Sequence, residues 1–110
     1  ILFDEVGCTG CHVTDFVTAD GVVAYTDLLL HHVAPEGSVG IASGNALTLE
    51  FRTPPLWGLG VTAPYMHDGR SFTVEDAIAR HDAESAESRR GFEALSAEER
   101  AALLAFLESL

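Results

Sequence analysis

The sequence predicts a mostly α-helical domain in which long loops connect the helices. Its 110 residues suffice for one hydrophobic core and are too few for two. Apolar residues recur at helical spacing near the C-terminus, whereas residues 13–50 contain many glycines and little periodicity. We therefore expect a single domain over residues 1–110. Because the chain begins Ile1-Leu2-Phe3, we expect its N-terminus to be truncated or processed.

The first half of the chain is expected to hold little regular structure. Residues 1–7 are typical of the last turns of a helix, with Phe3 and Val6 on one side, and the closing glycine permits a turn. Residues 13–50 are predicted to be a connector rich in loops, with one short helical turn near Asp27 to His31. A segment this irregular needs a large ligand to complete the core of so small a domain.

Two further helices are predicted in the second half of the chain. Thr73, with Asp76 three residues later, is a weak capping box that opens a helix from Val74 to about His81. Ser96 begins a clear capping box, which a helical pattern of apolar residues follows at Leu103, Phe106, Leu107 and Leu110. Residues 83–90 between these helices are read only as a polar stretch.

The charge balance limits the classes of partner. Six Arg and no Lys face seventeen acidic residues, which gives a formal net charge of -11. Binding to nucleic acid requires clustered cations, so this function class is excluded. An acidic surface favours partner proteins with basic surfaces. No apolar run approaches the roughly 20 residues of a transmembrane helix.

Cys8-Thr9-Gly10-Cys11-His12 is the C-x-x-C-H pattern of covalent haem c attachment. Thiols two residues apart can reach two vinyl groups on one edge of the porphyrin, and the adjacent His12 supplies the proximal nitrogen to iron. A zinc ribbon needs a second cysteine pair, and the chain has two cysteines in all. A thioredoxin-like pair needs an alternating β/α pattern, and a structural disulfide leaves His12 unexplained. The motif therefore predicts one covalent haem c.

Haem attachment also predicts the compartment. Bacteria join haem to thiols on the outer side of the cytoplasmic membrane, so we expect a periplasmic or extracellular protein.

Several segments resemble one family when they are taken in order along the chain. These are Tyr25–His31, Phe51–Gly58, Pro64–Arg70, Glu75–His81 and Leu95–Arg100. Together they resemble the C-terminal haem domain of bacterial di-haem oxidoreductases, which are relatives of the di-haem cytochrome c peroxidases. The resemblance implies a cytochrome c-like fold with long loops wrapped around the haem. It does not carry over peroxidase activity, which needs a second haem domain, so enzymatic activity is not expected of this chain alone.

The second axial ligand of the iron has two principal candidates, Met66 and His81. The other histidines His31, His32 and His67, or an open site, are the remaining possibilities. Met66 is the only methionine and lies in the kind of loop that carries the ligand in simple cytochromes c. The resemblance implies His81 instead, because the related peroxidases carry their distal residue at the matching helical position. If they do not bind iron, Met66 could fill a gap in the core and His81 could interact with the dipole at the end of its helix. We expect His12 and His81 to be the axial pair, with Met66 as the rival.

Two further side chains are candidates for the haem surroundings. Arg52 could pair with a propionate, and Trp57 could pack beside the ring while its N–H donates a hydrogen bond. A surface arginine and a core tryptophan are the ordinary alternatives.

Three functions fit these observations. The first is a single-haem electron carrier or electron-transfer subunit with a low-spin His/His haem. The second is the electron-transfer half of a di-haem peroxidase-like enzyme. The third is a building block of a conductive assembly in which haem domains stack on one another.

Overall fold

The computed structural model describes residues 1–110, with four α-helices and one small antiparallel sheet. The helices are α1 (Leu2–Glu5), α2 (Val74–Ala79), α3 (Ala86–Ala94) and α4 (Ala97–Glu108). Strands β1 (Leu30–His31) and β2 (Phe51–Arg52) pair with Leu30 opposite Arg52. Short 3₁₀ turns cover Cys8–Gly10, Leu59–Val61 and Ala83–Ser85. None of the helices has the length and apolarity that crossing a membrane requires.

Hydrogen bonds at the helix caps explain where α2 and α4 begin. Ser96 Oγ accepts from the Glu99 N–H at 3.3 Å, and the Glu99 carboxylate accepts from the Ser96 N–H at 2.9 Å. Thr73 Oγ1 accepts from the Asp76 N–H at 3.0 Å. These side chains satisfy amides that have no partner inside the helix. Both predicted helix starts are confirmed, although α2 ends at Ala79, two residues earlier than expected.

Helix α3 was not expected from the sequence. The stretch read only as polar forms the 3₁₀ turn Ala83–Ser85 and the first turns of α3. Phe92 is the only buried residue of this helix, so its apolar pattern is too sparse to show a helical period. Gly91 allows α3 to pack closely against Val6. A Cβ atom at position 91 would come within 3.3 Å of the Val6 Cβ.

The short helical turn expected near Asp27 to His31 is wrong. Leu30 and His31 form strand β1, and Leu28 has a left-handed φ of 58°. Thr26 Oγ1 accepts from the Leu28 N–H at 2.9 Å, and Asp27 Oδ1 accepts from the Leu29 N–H at 2.8 Å. Local side-chain bonds of this kind compete with helical ones, which explains the irregular backbone.

The hydrophobic core joins the two ends of the chain. Phe3 and Val6 near α1 pack with Leu103 and Leu107 of α4. The Phe106 ring also lies 5.7 Å from the Phe3 ring, although Phe106 is partly exposed. The other buried members of this cluster are Leu56, Val74 and Phe92. A core of this size depends heavily on each large side chain.

Truncation of the core should therefore destabilise the domain measurably. Leu107 is 4% exposed, so we expect Leu107→Ala to lower the free energy of unfolding by about 2–5 kcal/mol. Leu47 is 68% exposed, and Leu47→Ala should change it by less than about 0.5 kcal/mol. Urea unfolding of the two variants checks this. Equal losses in both would show that Leu107 does not act through burial.

Candidate functional site

The cysteine motif forms one tight turn. Gly7 adopts a left-handed φ of 85° immediately before the 3₁₀ turn Cys8–Gly10, as its position in the sequence suggests. The Cys8 carbonyl accepts from the His12 N–H at 2.9 Å, which brings His12 one turn beyond Cys8. Both cysteines are free thiols. The turn thus presents two thiols and one imidazole from five consecutive residues.

The environment keeps both thiols protonated. Burial raises the pKa of Cys8 to about 11. Burial also raises the pKa of Cys11, and the nearby carboxylates of Asp27 and Glu84 act in the same direction. Redox-active and catalytic cysteines have lowered pKa values, so this pair does not resemble a thioredoxin-like site.

His12 is fixed by the backbone of the following loop. Its Nδ1 lies 2.8 Å from the carbonyl oxygen of Tyr25. Because a carbonyl can only accept, Nδ1 carries the proton and the lone pair lies on Nε2. Burial lowers the pKa of His12, and the nearby His81 lowers it further, so the ring is neutral. A neutral imidazole whose Nδ1–H donates to a carbonyl is the usual form of a metal-ligating histidine.

His81 follows helix α2 and shows the same arrangement. Its Nδ1 lies 2.8 Å from the carbonyl oxygen of Ala77, one turn earlier in the chain. Burial lowers the pKa of His81 as well. Neither Nε2 atom of His12 or His81 has a hydrogen-bond partner within the chain. Two neutral imidazoles from opposite halves of the sequence therefore keep a free nitrogen donor each.

The other ligand candidates lie in different settings. Met66 is half-buried with a left-handed φ of 66°, in a turn where its carbonyl accepts from the Gly69 N–H at 3.3 Å. The His67 ring stacks on Phe51 at 4.1 Å between centroids, and its Nε2 donates to the Val39 carbonyl. His67 is exposed, and its Nε2 is already engaged by the Val39 carbonyl.

Arg52 and Trp57 lie at the surface. Arg52 is exposed on β2 and takes part in none of the ion pairs of the chain. Trp57 is 47% exposed, so it is not a core tryptophan. Both side chains are free to contact a bound group.

Two features of the site were not assigned from the sequence. One is the Tyr25 carbonyl, whose role depends on a left-handed φ of 54° that no local pattern indicated. The other is the pairing of Asp68 with Arg80, the residue before His81. The Arg80 nitrogens donate to both oxygens of the carboxylate at 2.7 and 3.0 Å. This pair ties the Met66 loop to the end of α2.

The chain matches one family model over its whole length and one curated protein over nearly all of it. The family model described as "Di-haem oxidoreductase, putative peroxidase" matches residues 1–110. The chain belongs to the di-haem oxidoreductase family. The methylamine utilization protein MauG of Methylorubrum extorquens is 36% identical to it over 118 aligned positions. That alignment covers 96% of this chain and 31% of MauG, so the chain spans about a third of its relative.

No solved structure matches the chain. The family comparison confirms the resemblance seen in the sequence motifs and supports haem as the cofactor of this di-haem oxidoreductase domain.

The Asp68–Arg80 pair should make the stability of the domain sensitive to acid. Hydrogen bonds from Arg80 hold the pKa of Asp68 well below its ordinary range. The pair therefore stabilises the fold fully above about pH 3.9, the pKa of an aspartate in the unfolded chain. Its contribution is lost as the pH falls below that value towards the lower pKa of Asp68 in the folded protein. Urea midpoints should fall more steeply between pH 5 and roughly pH 2 in the unmodified protein than in Asp68→Asn. Asp20→Asn, in the exposed loop, is the matched control and should keep the full slope.

Proposed function

We propose that this chain is a c-type haem domain that transfers electrons within a protein of the di-haem oxidoreductase family. Cys8 and Cys11 form thioethers with one haem, and His12 is the proximal ligand. The observation that carries the proposal is the pair of neutral imidazoles, His12 and His81, each tied at Nδ1 and free at Nε2. Bound haem supplies a one-electron iron couple.

The donor set fits a covalent haem better than a bare metal ion. Thioether formation consumes neutral thiols, and burial keeps both cysteines in that form. The loops carry large exposed apolar side chains, which an apolar macrocycle could cover. They include Leu28, Leu29, Leu30, Val39, Ile41 and Phe72. A cytochrome c-like wrapping of the long loops around the haem is part of this proposal.

His12 and His81 are proposed as the axial pair. Nε2 of each ring would then hold the iron and leave no position for a small oxidant, which suits a domain that passes electrons on. His/His ligation gives a lower reduction potential than His/Met ligation, in which Met66 would take the place of His81. After burial, the nearby His81 is one cause of the lowered pKa of His12, which agrees with the two rings lying near each other.

Arg52 and Trp57 are proposed to interact with the haem propionates. Arg52 has no acidic partner in the chain, and a propionate would give it one. The Trp57 indole N–H is likewise available as a donor.

The partners and the compartment are inferred from charge and from haem chemistry. A net charge of -11 favours a redox partner with a basic surface. Covalent haem attachment implies a periplasmic or extracellular location.

A second candidate function is the electron-transfer half of a peroxidase-like enzyme. The family description and the coverage of about a third of MauG favour it. In that case a second haem carries the peroxide chemistry, and the chain described here supplies or removes its electrons.

Covalent attachment is the first test. The haem should remain with the polypeptide after acid–acetone extraction, and the pyridine haemochrome should be of the c type. Cys8→Ser and Cys11→Ser should each shift that spectrum and reduce the yield of folded protein. Thr9→Ser alters the same turn without removing a thiol and should keep the c-type spectrum. Extraction of all haem into the organic layer from the unmodified protein contradicts the proposal.

Substitution of the axial candidates is the second test. His81→Ala should produce high-spin haem and His81→Met should raise the potential, because thioether ligation stabilises ferrous iron. Met66→Leu should leave the low-spin spectrum and the potential nearly unchanged. The opposite pattern, with high-spin haem in Met66→Leu only, would assign the sixth position to Met66. A far-red sulfur-to-iron band in the oxidised unmodified protein would agree with that assignment.

A further inference from the structure

His31 makes two hydrogen bonds to carboxylates. Its Nε2 lies 2.7 Å from Asp27 Oδ2, and its Nδ1 lies 3.0 Å from Glu84 Oε2. Ionised carboxylates can only accept, so both ring nitrogens donate and the ring is an imidazolium. The His31 side chain is 18% exposed and that of Asp27 is 12% exposed. This is a largely shielded cation in a strongly acidic chain.

The two carboxylates come from the two segments that adjoin the histidines of the site. Asp27 lies two residues after Tyr25, whose carbonyl fixes His12. Glu84 lies three residues after His81 in the sequence. His31 therefore connects the loop that orients one imidazole with the segment that follows the other.

Backbone hydrogen bonds reinforce the same connection. The Glu84 N–H donates to the His32 carbonyl at 3.0 Å, and the His32 N–H donates to Glu84 Oε1 at 2.8 Å. The Asp27 N–H donates to the Cys11 carbonyl at 2.9 Å. The cysteine turn, the Asp27 loop and the Glu84 turn thus meet around one imidazolium.

The cation also lies beside the attachment turn. The sulfur of Cys11, the Asp27 carboxylate and a His31 ring nitrogen lie within 4.8 Å of one another. The ionisable groups that face or flank His31 are Asp27, Glu84, Cys11, His12, His32 and Arg52. Among them, only Asp27 and Glu84 form ion pairs with it.

We propose that His31 is a positioning residue, whose ion pairs with Asp27 and Glu84 fix the two histidine-bearing segments relative to each other and hold a positive charge beside the haem. The inference rests on the proposed function. A positive charge near the iron favours the ferrous state, so it raises the reduction potential. Loss of the proton removes the charge and weakens both links together.

The pH range of the effect follows from the hydrogen bonds. Those to Asp27 and then Glu84 raise the pKa of His31 above its ordinary value of 6.5. A raised pKa means that the stabilisation is complete below about pH 6.5 and is lost as the pH rises through the higher folded value. The potential should fall over that same pH interval.

The experiment uses the haem-loaded protein and compares three variants. We expect His31→Gln to lower the potential below about pH 6.5 and to abolish its fall at higher pH. His31→Arg can donate to both carboxylates but does not titrate, so it should keep the neutral-pH potential and lose the pH dependence. His32→Gln changes the neighbouring histidine, which makes no side-chain ion pair, and should behave as the unmodified protein.

Three outcomes overturn the inference. One is a pH profile of the potential that is the same in His31→Gln as in His32→Gln. Another is a retained alkaline fall in His31→Arg, which would assign the titration to a different group. The third is loss of stability in His31→Gln with no change in potential, which would indicate a structural role only. If His31→Gln does not fold, Glu84→Gln and His31→Arg together test the inference. Glu84→Gln removes one ion pair of His31 and leaves its ring in place.

Failure of the proposed function gives a different result. In that case the unmodified protein contains no covalent low-spin haem, as its optical spectrum reports. The protonation of His31 can still be read from the ring nitrogen chemical shifts in nuclear magnetic resonance spectra. A His31 ring that is neutral at about pH 6, below its ordinary pKa, contradicts the ion pairs whatever the haem content.

Discussion

The hydrogen bond from His12 Nδ1 to the Tyr25 carbonyl is the interaction on which the site depends. It requires a left-handed backbone at Tyr25, which a residue with a large side chain adopts only when its surroundings enforce it. The Tyr25 ring meets the rings of Phe3 and Phe106 edge-on at 5.8 and 6.0 Å. The core that joins the chain ends thus also holds the backbone that orients the imidazole.

The residues on either side of Tyr25 are fixed just as firmly. Ala24 and Thr26 are completely buried, and Thr26 Oγ1 donates to the Thr53 carbonyl at 2.6 Å. The Ala24 carbonyl accepts from the Leu56 N–H at 3.0 Å. The connector that looks irregular in the sequence is therefore rigid around Tyr25, since its backbone groups are satisfied by a distant segment.

Local signals in the sequence predicted the parts of the fold that local interactions determine. The capping residues Thr73 and Ser96 located two helix starts, and the C-x-x-C-H pattern located the turn that presents two thiols and an imidazole. Strand β1 and the ion pair of His31 with Glu84 escaped prediction, because their partners lie 20 to 53 residues away along the chain. Helix α3 escaped for another reason: with Phe92 as its only buried residue, little of its sequence faces the core.

The two imidazoles at the site have the same arrangement, which bears on the proposed electron transfer. Each ring is neutral through burial and oriented through a backbone carbonyl, so neither needs to lose a proton or rotate in order to donate Nε2. Backbone acceptors at Tyr25 and Ala77 cannot titrate, which keeps this orientation constant over the physiological pH range. In the proposed haem domain the same bonds would make the rings better electron donors and so favour ferric iron, whereas the His31 cation would act in the opposite direction. Because the His31 cation is lost when the ring loses its proton, the acidic residues that hold His31 would make the redox balance of the site depend on pH.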